Sequence, residues 1–164
     1  MKILIVDDHE VVRQGVSSLL RRDRNYQICG EAADGHDAIE QARRLQPQVI
    51  VMDISMPNLN GLEATRAIRS SVPHSEVLIM SQHDSPQVVQ QAFNAGARGY
   101  VVKSSLAREL LNAVASVGRA VLRLGHRVAQ LVDARVEPLD EHVDLCALVA
   151  PEHDREVGSS AVGG

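Results

Sequence analysis

The stretch Lys2-Ile3-Leu4-Ile5-Val6-Asp7-Asp8-His9-Glu10-Val11-Val12 decides the fold. It opens with a strand-length apolar run, passes through a short acidic turn, and enters a segment whose apolar residues recur at helical spacing. The same plan repeats along the chain. Apolar runs recur at Val49-Ile50-Val51-Met52, Val77-Leu78-Ile79-Met80 and Tyr100-Val101-Val102, with a weaker strand candidate over Tyr26 to Ala32. Runs apolar on both faces suit central strands of a parallel sheet that is covered on both sides. Helical patterns lie between them, over Glu10 to Arg21, Asp37 to Leu45, Leu62 to Ser70, Val88 to Ala95 and Leu106 to Val117. Punctuation agrees. Ser85-Pro86 places a hydroxyl at an N-cap and a proline at the first helical position, and Asn94-Ala95-Gly96 supplies a stop. Pro47 and Pro73 each follow a helical pattern that they cannot continue. Five βα units in about 118 residues predict an α/β doubly wound fold.

Composition narrows the functional classes. The chain has 164 residues, 45% hydrophobic and 23% charged, with a net charge of −4. No apolar run approaches the roughly 18 residues a bilayer requires, and the N-terminus enters a strand directly, so neither a membrane span nor a secretory signal is expected. Cys29 and Cys146 are the only cysteines, and no Cys/His cluster has zinc-ligand spacing, which predicts a cytoplasmic protein with incidental thiols. Charge shifts along the chain: net −1 over residues 1–118, +3 over 119–135 and −6 over 136–164. The last segment gains nothing from nucleic-acid phosphates.

In open parallel sheets, ligands bind at the carboxyl ends of the strands. The residues just past the apolar runs are Asp7 and Asp8, Asp53, Ser81 and Lys103. Three carboxylates brought together repel by several kcal/mol, on the order of 4 kcal/mol per close pair at an effective dielectric near 20, so the cluster calls for a cation. A hard, oxygen-preferring ion, Mg²⁺, is expected, with no histidine or cysteine of these loops close enough to ligate it. Lys103 can hold an anion beside the metal and Ser81 can donate a hydrogen bond to it. Metal, ammonium and hydroxyl around a carboxylate point to phosphoryl transfer to that carboxylate. The bland alternative is that each strand-end aspartate caps a helix or turn, Asp8 being placed to cap the helix beginning near Glu10. Phe93 and Tyr100 taken alone are ordinary core aromatics.

Four segments together resemble the receiver domain of two-component response regulators. They are Ile3-Leu4-Ile5-Val6-Asp7-Asp8-His9, Asp53-Ile54-Ser55-Met56-Pro57-Asn58-Leu59-Asn60-Gly61, Ile79-Met80-Ser81, and Ala95-Gly96-Ala97-Arg98-Gly99-Tyr100-Val101-Val102-Lys103. The resemblance runs in order over residues 1 to about 118, and the Asp-Asp-His opening with Gly61-Leu62-Glu63-Ala64-Thr65 is most similar to the NarL/FixJ-type subfamily. It implies a flavodoxin-like five-stranded parallel sheet in the order 2-1-3-4-5. It implies that Asp53 accepts a phosphoryl group from a sensor histidine kinase, that Asp7, Asp8, Asp53 and the backbone carbonyl of Ser55 hold Mg²⁺, and that Lys103 pairs with the phosphoryl group. Ser81 would move toward that group and Tyr100 would turn inward behind it, altering the face formed by the fourth helix, fifth strand and fifth helix. Ser55 and His83 would tune the lifetime of the phosphoryl group. Ser104 follows Lys103 where many receivers have proline, so a trans bond is expected there.

Beyond residue 118, Leu110, Val114, Val117, Val121, Leu124, Val128 and Leu131 alternate spacings of 4 and 3, a heptad seam that extends the fifth helix to about Arg135. It offers a route to a homodimer, by itself or with the fourth-helix face, against a cost of about 1 kcal/mol each for Gly118 and Gly125. The expected organisation is a receiver over 1–118, a helical extension or linker over 119–136, and an acidic segment over 137–164, either disordered or the remnant of an effector domain. Members of the subfamily usually carry a DNA-binding helix-turn-helix there. Leu148-Val149-Ala150 and Arg155-Glu156-Val157 echo one only faintly, so the domain reads as missing or degenerate, and DNA binding is expected of the family but not supported by this segment. The resulting expectation is a non-enzymatic signalling receiver with a transcriptional output in the parent family. The rivals are a stand-alone receiver acting through protein contacts and a Mg²⁺-dependent phosphohydrolase. The last would carry Asp-x-Asp after the first strand, whereas Asp7 and Asp8 are adjacent.

Overall fold

The computed structural model describes residues 1–131, with side chains as far as Arg119. Five strands, β1 (Lys2–Val6), β2 (Gln27–Ala32), β3 (Val49–Asp53), β4 (Glu76–Ser81) and β5 (Gly99–Val102), alternate with the helices α1 (Glu10–Leu20), α2 (Gly35–Leu45), α3 (Gly61–Ser71), α4 (Pro86–Asn94) and α5 (Leu106–Leu131). A 3₁₀ turn over Lys103–Ser105 joins β5 to α5. The strands are parallel in the order β2-β1-β3-β4-β5. This is the flavodoxin-like doubly wound sheet expected from the sequence.

Three of the apolar runs are the central strands β1, β3 and β4 because they serve two cores at once, whereas the fourth, Tyr100-Val101-Val102, forms the second edge strand, β5. On one face Leu4, Val6, Ile50, Met52 and Ile79 pack with Ala38 and Ala42 of α2, Ala64 and Ile68 of α3 and Ala92 of α4. On the other, Ile3, Ile5, Val49, Val51, Leu78 and Met80 pack with Val16 and Leu20 of α1 and with Leu110, Val114 and Val117 of α5. β3 and β4 are buried at every position, whereas β2, at the sheet edge, is buried only at Ala32. An edge strand needs no continuous apolar run, which explains the weak signal over Tyr26 to Ala32.

Local signals set most helix limits, with instructive exceptions. α2 begins at Gly35, two residues before the expected Asp37, because the Asp34 carboxylate accepts from the Asp37 backbone N–H at 2.9 Å. α3 is capped by Asn60, whose side chain accepts from Leu62 N and Glu63 N. Ser85 occupies the N-cap of α4 as expected, but its hydroxyl makes no capping bond, so the start rests on Pro86 alone. Gln46 ends α2 in the left-handed region at φ 48° before Pro47, and Gly96, at φ 99°, follows α4. Among the described residues no peptide bond is cis, and Lys103-Ser104 is trans as expected.

α5 is a single helix of 26 residues, about 39 Å long at 1.5 Å per residue, continuing well past Val117. Gly118 has a packing reason: a Cβ there would collide with the Met1 side chain. Leu110, Val114 and Val117 are buried in the receiver's own core. The side chains of the lower seam from Val121, the helix end near Arg135 and the acidic segment 137–164 lie outside what the structure describes.

Candidate functional site

Parallel register aligns the strand ends. Val6 pairs with Met52, Asp53 with Met80 and Ser81 with Val102, so Asp7, Asp53, Ser81 and Lys103 emerge at one edge. The edge lies at the switch point where β1 and β3 send their connections to opposite sides of the sheet. Asp7 is fully buried and Asp53 nearly so, with side-chain exposures of 0% and 3%. Lys103, 13% exposed, joins them: its ammonium is 2.7 Å from Asp7 Oδ2 and 3.0 Å from Asp53 Oδ1. Burial pushes the Asp53 carboxyl up, a shift that Lys103 opposes and the neighbouring Asp7 charge reinforces. Burial pulls the Lys103 ammonium down, but its hydrogen bonds to Asp7 and Asp53 outweigh this and hold it above its usual value.

The β1–α1 turn is built around Asp7. Its Oδ1 accepts from the His9 backbone N–H at 2.9 Å, and its carbonyl accepts from Arg13 Nη1 at 2.8 Å. Asp8 does not cap α1: the N-cap is His9, which makes no side-chain capping bond. Asp8 Oδ1 is instead shielded from solvent with no hydrogen-bond partner. One ammonium against Asp7, Asp8 and Asp53 leaves a surplus of two negative charges. That surplus, the oxygen donors and the orphaned Asp8 oxygen fit a hard divalent cation.

His9 corrects the expectation that no histidine comes near these ligands. Its Nδ1 is 2.8 Å from Asp8 Oδ1 and 3.3 Å from Asp7 Oδ1. His9 is the N-cap residue of α1, and the direction of its ring is set by the fold of the turn, which residue order does not show.

The turn after β3 positions Asp53. Gly61 N donates to Ile54 O at 2.9 Å, Thr65 Oγ1 donates to Gly61 O at 2.6 Å, and Ser55 is exposed at the tip. A Cβ on Gly61 would collide with the Asp53 carbonyl oxygen, so only glycine lets α3 start this close to the strand end. Gly61→Ala is expected to lose about 2 kcal/mol, the scale of an overpacked site, in urea denaturation. An unchanged midpoint would mean that the turn yields freely.

Ser81 is fully buried and its hydroxyl accepts from His83 N at 3.1 Å. Tyr100, 9% exposed, sends its hydroxyl to the His83 carbonyl at 2.6 Å. Its ring therefore already lies inward, and the peptide of His83 is held from both sides. Burial raises the Tyr100 phenol, with the Ser81 hydroxyl opposing. The His83 side chain is exposed, and Phe93 packs partly buried against the core.

Comparison with known proteins agrees with this architecture. YxjL of Bacillus subtilis (strain 168), described as an uncharacterized transcriptional regulatory protein, is 35% identical over 125 residues, which cover 75% of this chain and 57% of YxjL. The response regulator protein VraR of Staphylococcus aureus is 29% identical over 169 residues, covering 98% of this chain and 81% of VraR. The crystal structure of a LuxR-family two-component response regulator from Aurantimonas sp. SI85-9A1 superposes with a TM-score of 0.70 at 34% identity, covering 81% of this chain and 98% of that one. Residues 3–115 match the response regulator receiver domain, from the first strand into the fifth helix, and the chain belongs to that family.

Proposed function

We propose that Asp53 is the phosphoacceptor of this receiver and takes its phosphoryl group from the phosphohistidine of a sensor histidine kinase. The observation that carries the reading is the ammonium of Lys103 bridging two buried carboxylates, one from each side of the switch point. Lys103 holds Oδ1 of Asp53, which leaves the other carboxylate oxygen to attack phosphorus. The new O–P bond forms as the N–P bond of the donor breaks, and its electron pair leaves with the imidazole nitrogen. A dry carboxylate has little hydration to shed before attack, and burial supplies that condition. Lys103 then has a phosphoryl group to pair with in place of the bare carboxylate.

Asp7, Asp8, Asp53 and the Ser55 carbonyl are the groups that would hold Mg²⁺. The ion would neutralise charge on the phosphoryl oxygens. Placement of the nucleophile on β3, not in an Asp-x-Asp after β1, argues against the phosphohydrolase reading. Ser81 and Tyr100 carry the response: a hydroxyl drawn toward a phosphoryl oxygen loosens the His83 peptide that both residues hold, and with it the loop entering α4. Ser55 and the His83 side chain flank the approach of water and set the lifetime. The output follows that of relatives described as transcriptional regulators, through an α4-β5-α5 surface or the extended α5; a receiver acting by protein contacts alone is the second reading. No described helix is long and apolar enough to cross a membrane, in keeping with a cytoplasmic partner of a sensor kinase.

The test is the intact mass after incubation with a small phosphodonor and Mg²⁺, beside an EDTA control. A single phosphoryl adduct that requires the metal and maps to Asp53 is expected. No adduct in a folded, Mg²⁺-binding chain would overturn the assignment, and sustained turnover of the donor would favour a hydrolase.

A further inference from the structure

The phosphoryl-acceptor chemistry makes no use of the His9 imidazole, yet that ring is set against both carboxylates of the β1–α1 turn. Nδ1 lies 2.8 Å from Asp8 Oδ1 and 3.3 Å from Asp7 Oδ1, and one ligand atom from each residue falls within 4.8 Å of the others. Two donors about 2.0 to 2.1 Å from a common ion stand about 2.9 Å apart at a right angle and about 3.4 Å apart at the tetrahedral angle. The two separations are those of edges of one coordination polyhedron.

An ion pair with a protonated ring accounts for the cluster only in part. Nδ1 is placed to hydrogen-bond Asp7 Oδ1, but the shorter contact, to Asp8 Oδ1, is out of hydrogen-bond alignment. That oxygen is shielded from water and has no other partner, so it retains a lone pair beside a ring nitrogen. Asp7 is already fixed: it is fully buried, with Oδ1 held by the His9 backbone N–H and Oδ2 by Lys103. Asp7 is therefore held in place before any ion arrives, Asp8 presents an unpartnered oxygen beside it, and the third donor sits on an exposed side chain free to adjust, 66% accessible.

We propose that Asp7, Asp8 and the His9 imidazole form a mixed oxygen and nitrogen site for a divalent cation of the Zn²⁺ or Co²⁺ class, built on the β1–α1 turn without Asp53. Imidazole favours such ions, whereas Mg²⁺ keeps to oxygen. Three protein donors leave at least one position for water. Asp7 and Asp8 belong to both donor sets, so an ion in this site excludes Mg²⁺ from the oxygen set and withholds the site from phosphoryl transfer. Only that last consequence rests on the Asp53 assignment.

The test titrates Co²⁺ into the full chain, freed of metal, and follows its visible absorption bands, with Zn²⁺ as competitor. The same titration is run on His9→Ala, His9→Gln and Asp53→Ala. Binding is expected in the parent and, within about twofold, in Asp53→Ala, while both His9 variants weaken it about tenfold or more, a loss of the size seen for other groups that support a metal site. His9 is exposed, so these variants keep the fold, which far-UV circular dichroism checks. Equal Co²⁺ affinity in the parent and the His9 variants would overturn the proposal, as would loss of binding in Asp53→Ala. A chain that binds Co²⁺ in this pattern but forms no adduct with a phosphodonor and Mg²⁺ would refute the Asp53 assignment and leave the mixed site standing.

Discussion

Asp53→Asn is expected to take up no phosphoryl group and yet to unfold at a higher urea concentration than the parent at pH 7. The first half follows from chemistry, because an amide offers no nucleophilic oxygen of carboxylate strength. The second half follows from burial. The folded carboxyl titrates above its unfolded counterpart, because the loss of hydration outweighs the help of Lys103. For an acid shifted this way the unfolded chain gives up its proton first as pH rises. Native stability therefore falls through the window between the unfolded and folded values and stays lower above it. Asparagine removes that penalty, while Lys103 keeps Asp7 at 2.7 Å. The gain over the parent should shrink as pH is lowered through the carboxylate range. Urea denaturation at neutral and acid pH measures both arms, and a variant less stable than the parent at pH 7 would show that Lys103 needs both partners. A site group that weakens its own fold is a common price of function.

Lys103→Met should act in the opposite sense and more strongly. Taking the ammonium away leaves Asp7, fully buried, facing Asp53 with no compensating charge. Breaking a buried pair by removing one partner costs about 3 to 5 kcal/mol. The sign with pH is also fixed. Lys103 is held above its ordinary value, so its contribution is complete below the unfolded lysine pKa and is lost as pH rises through the higher folded one. Parent and variant should therefore differ fully at pH 7 and converge only in strong alkali. Added Mg²⁺ should stabilise the variant more than the parent, since an ion can take over part of the lost charge. Thermal unfolding with and without Mg²⁺ reads this, and a variant within about 1 kcal/mol of the parent in EDTA would mean that water already solvates the pair.

Much of this could be read from residue order. The runs at Ile3, Val49 and Val77 announce strands because central strands of a two-layered sheet are buried on both faces, a requirement that each residue meets locally. Pro86, Asn60 and the left-handed Gln46 before Pro47 mark helix limits for reasons confined to one turn of chain. β2 is faint in the sequence because an edge strand is only half covered, and α2 starts ahead of its apolar pattern because the Asp34 cap lies outside that pattern. The residues just past the apolar runs, Asp7, Asp8, Asp53, Ser81 and Lys103, mark the ligand edge because parallel sheets bind at the carboxyl ends of their strands, and the family resemblance implies the role of each.

Contacts between distant residues were decided only by the packed fold. Asp7 and Lys103 are 96 positions apart, and nothing near either one specifies a 2.7 Å ion pair; register across four strands does. The inward ring of Tyr100 is set by a carbonyl 17 residues away, and Gly118 by the side chain of Met1. At His9 the distance along the chain is short, but the direction of the ring depends on a turn that Asp7 and Arg13 fix in three dimensions. Burial patterns and caps are energies of single residues and their immediate neighbours, so the sequence determined the fold class and the groups at its edge. Pairings and side-chain directions are energies of docking, which exist only once the sheet has closed.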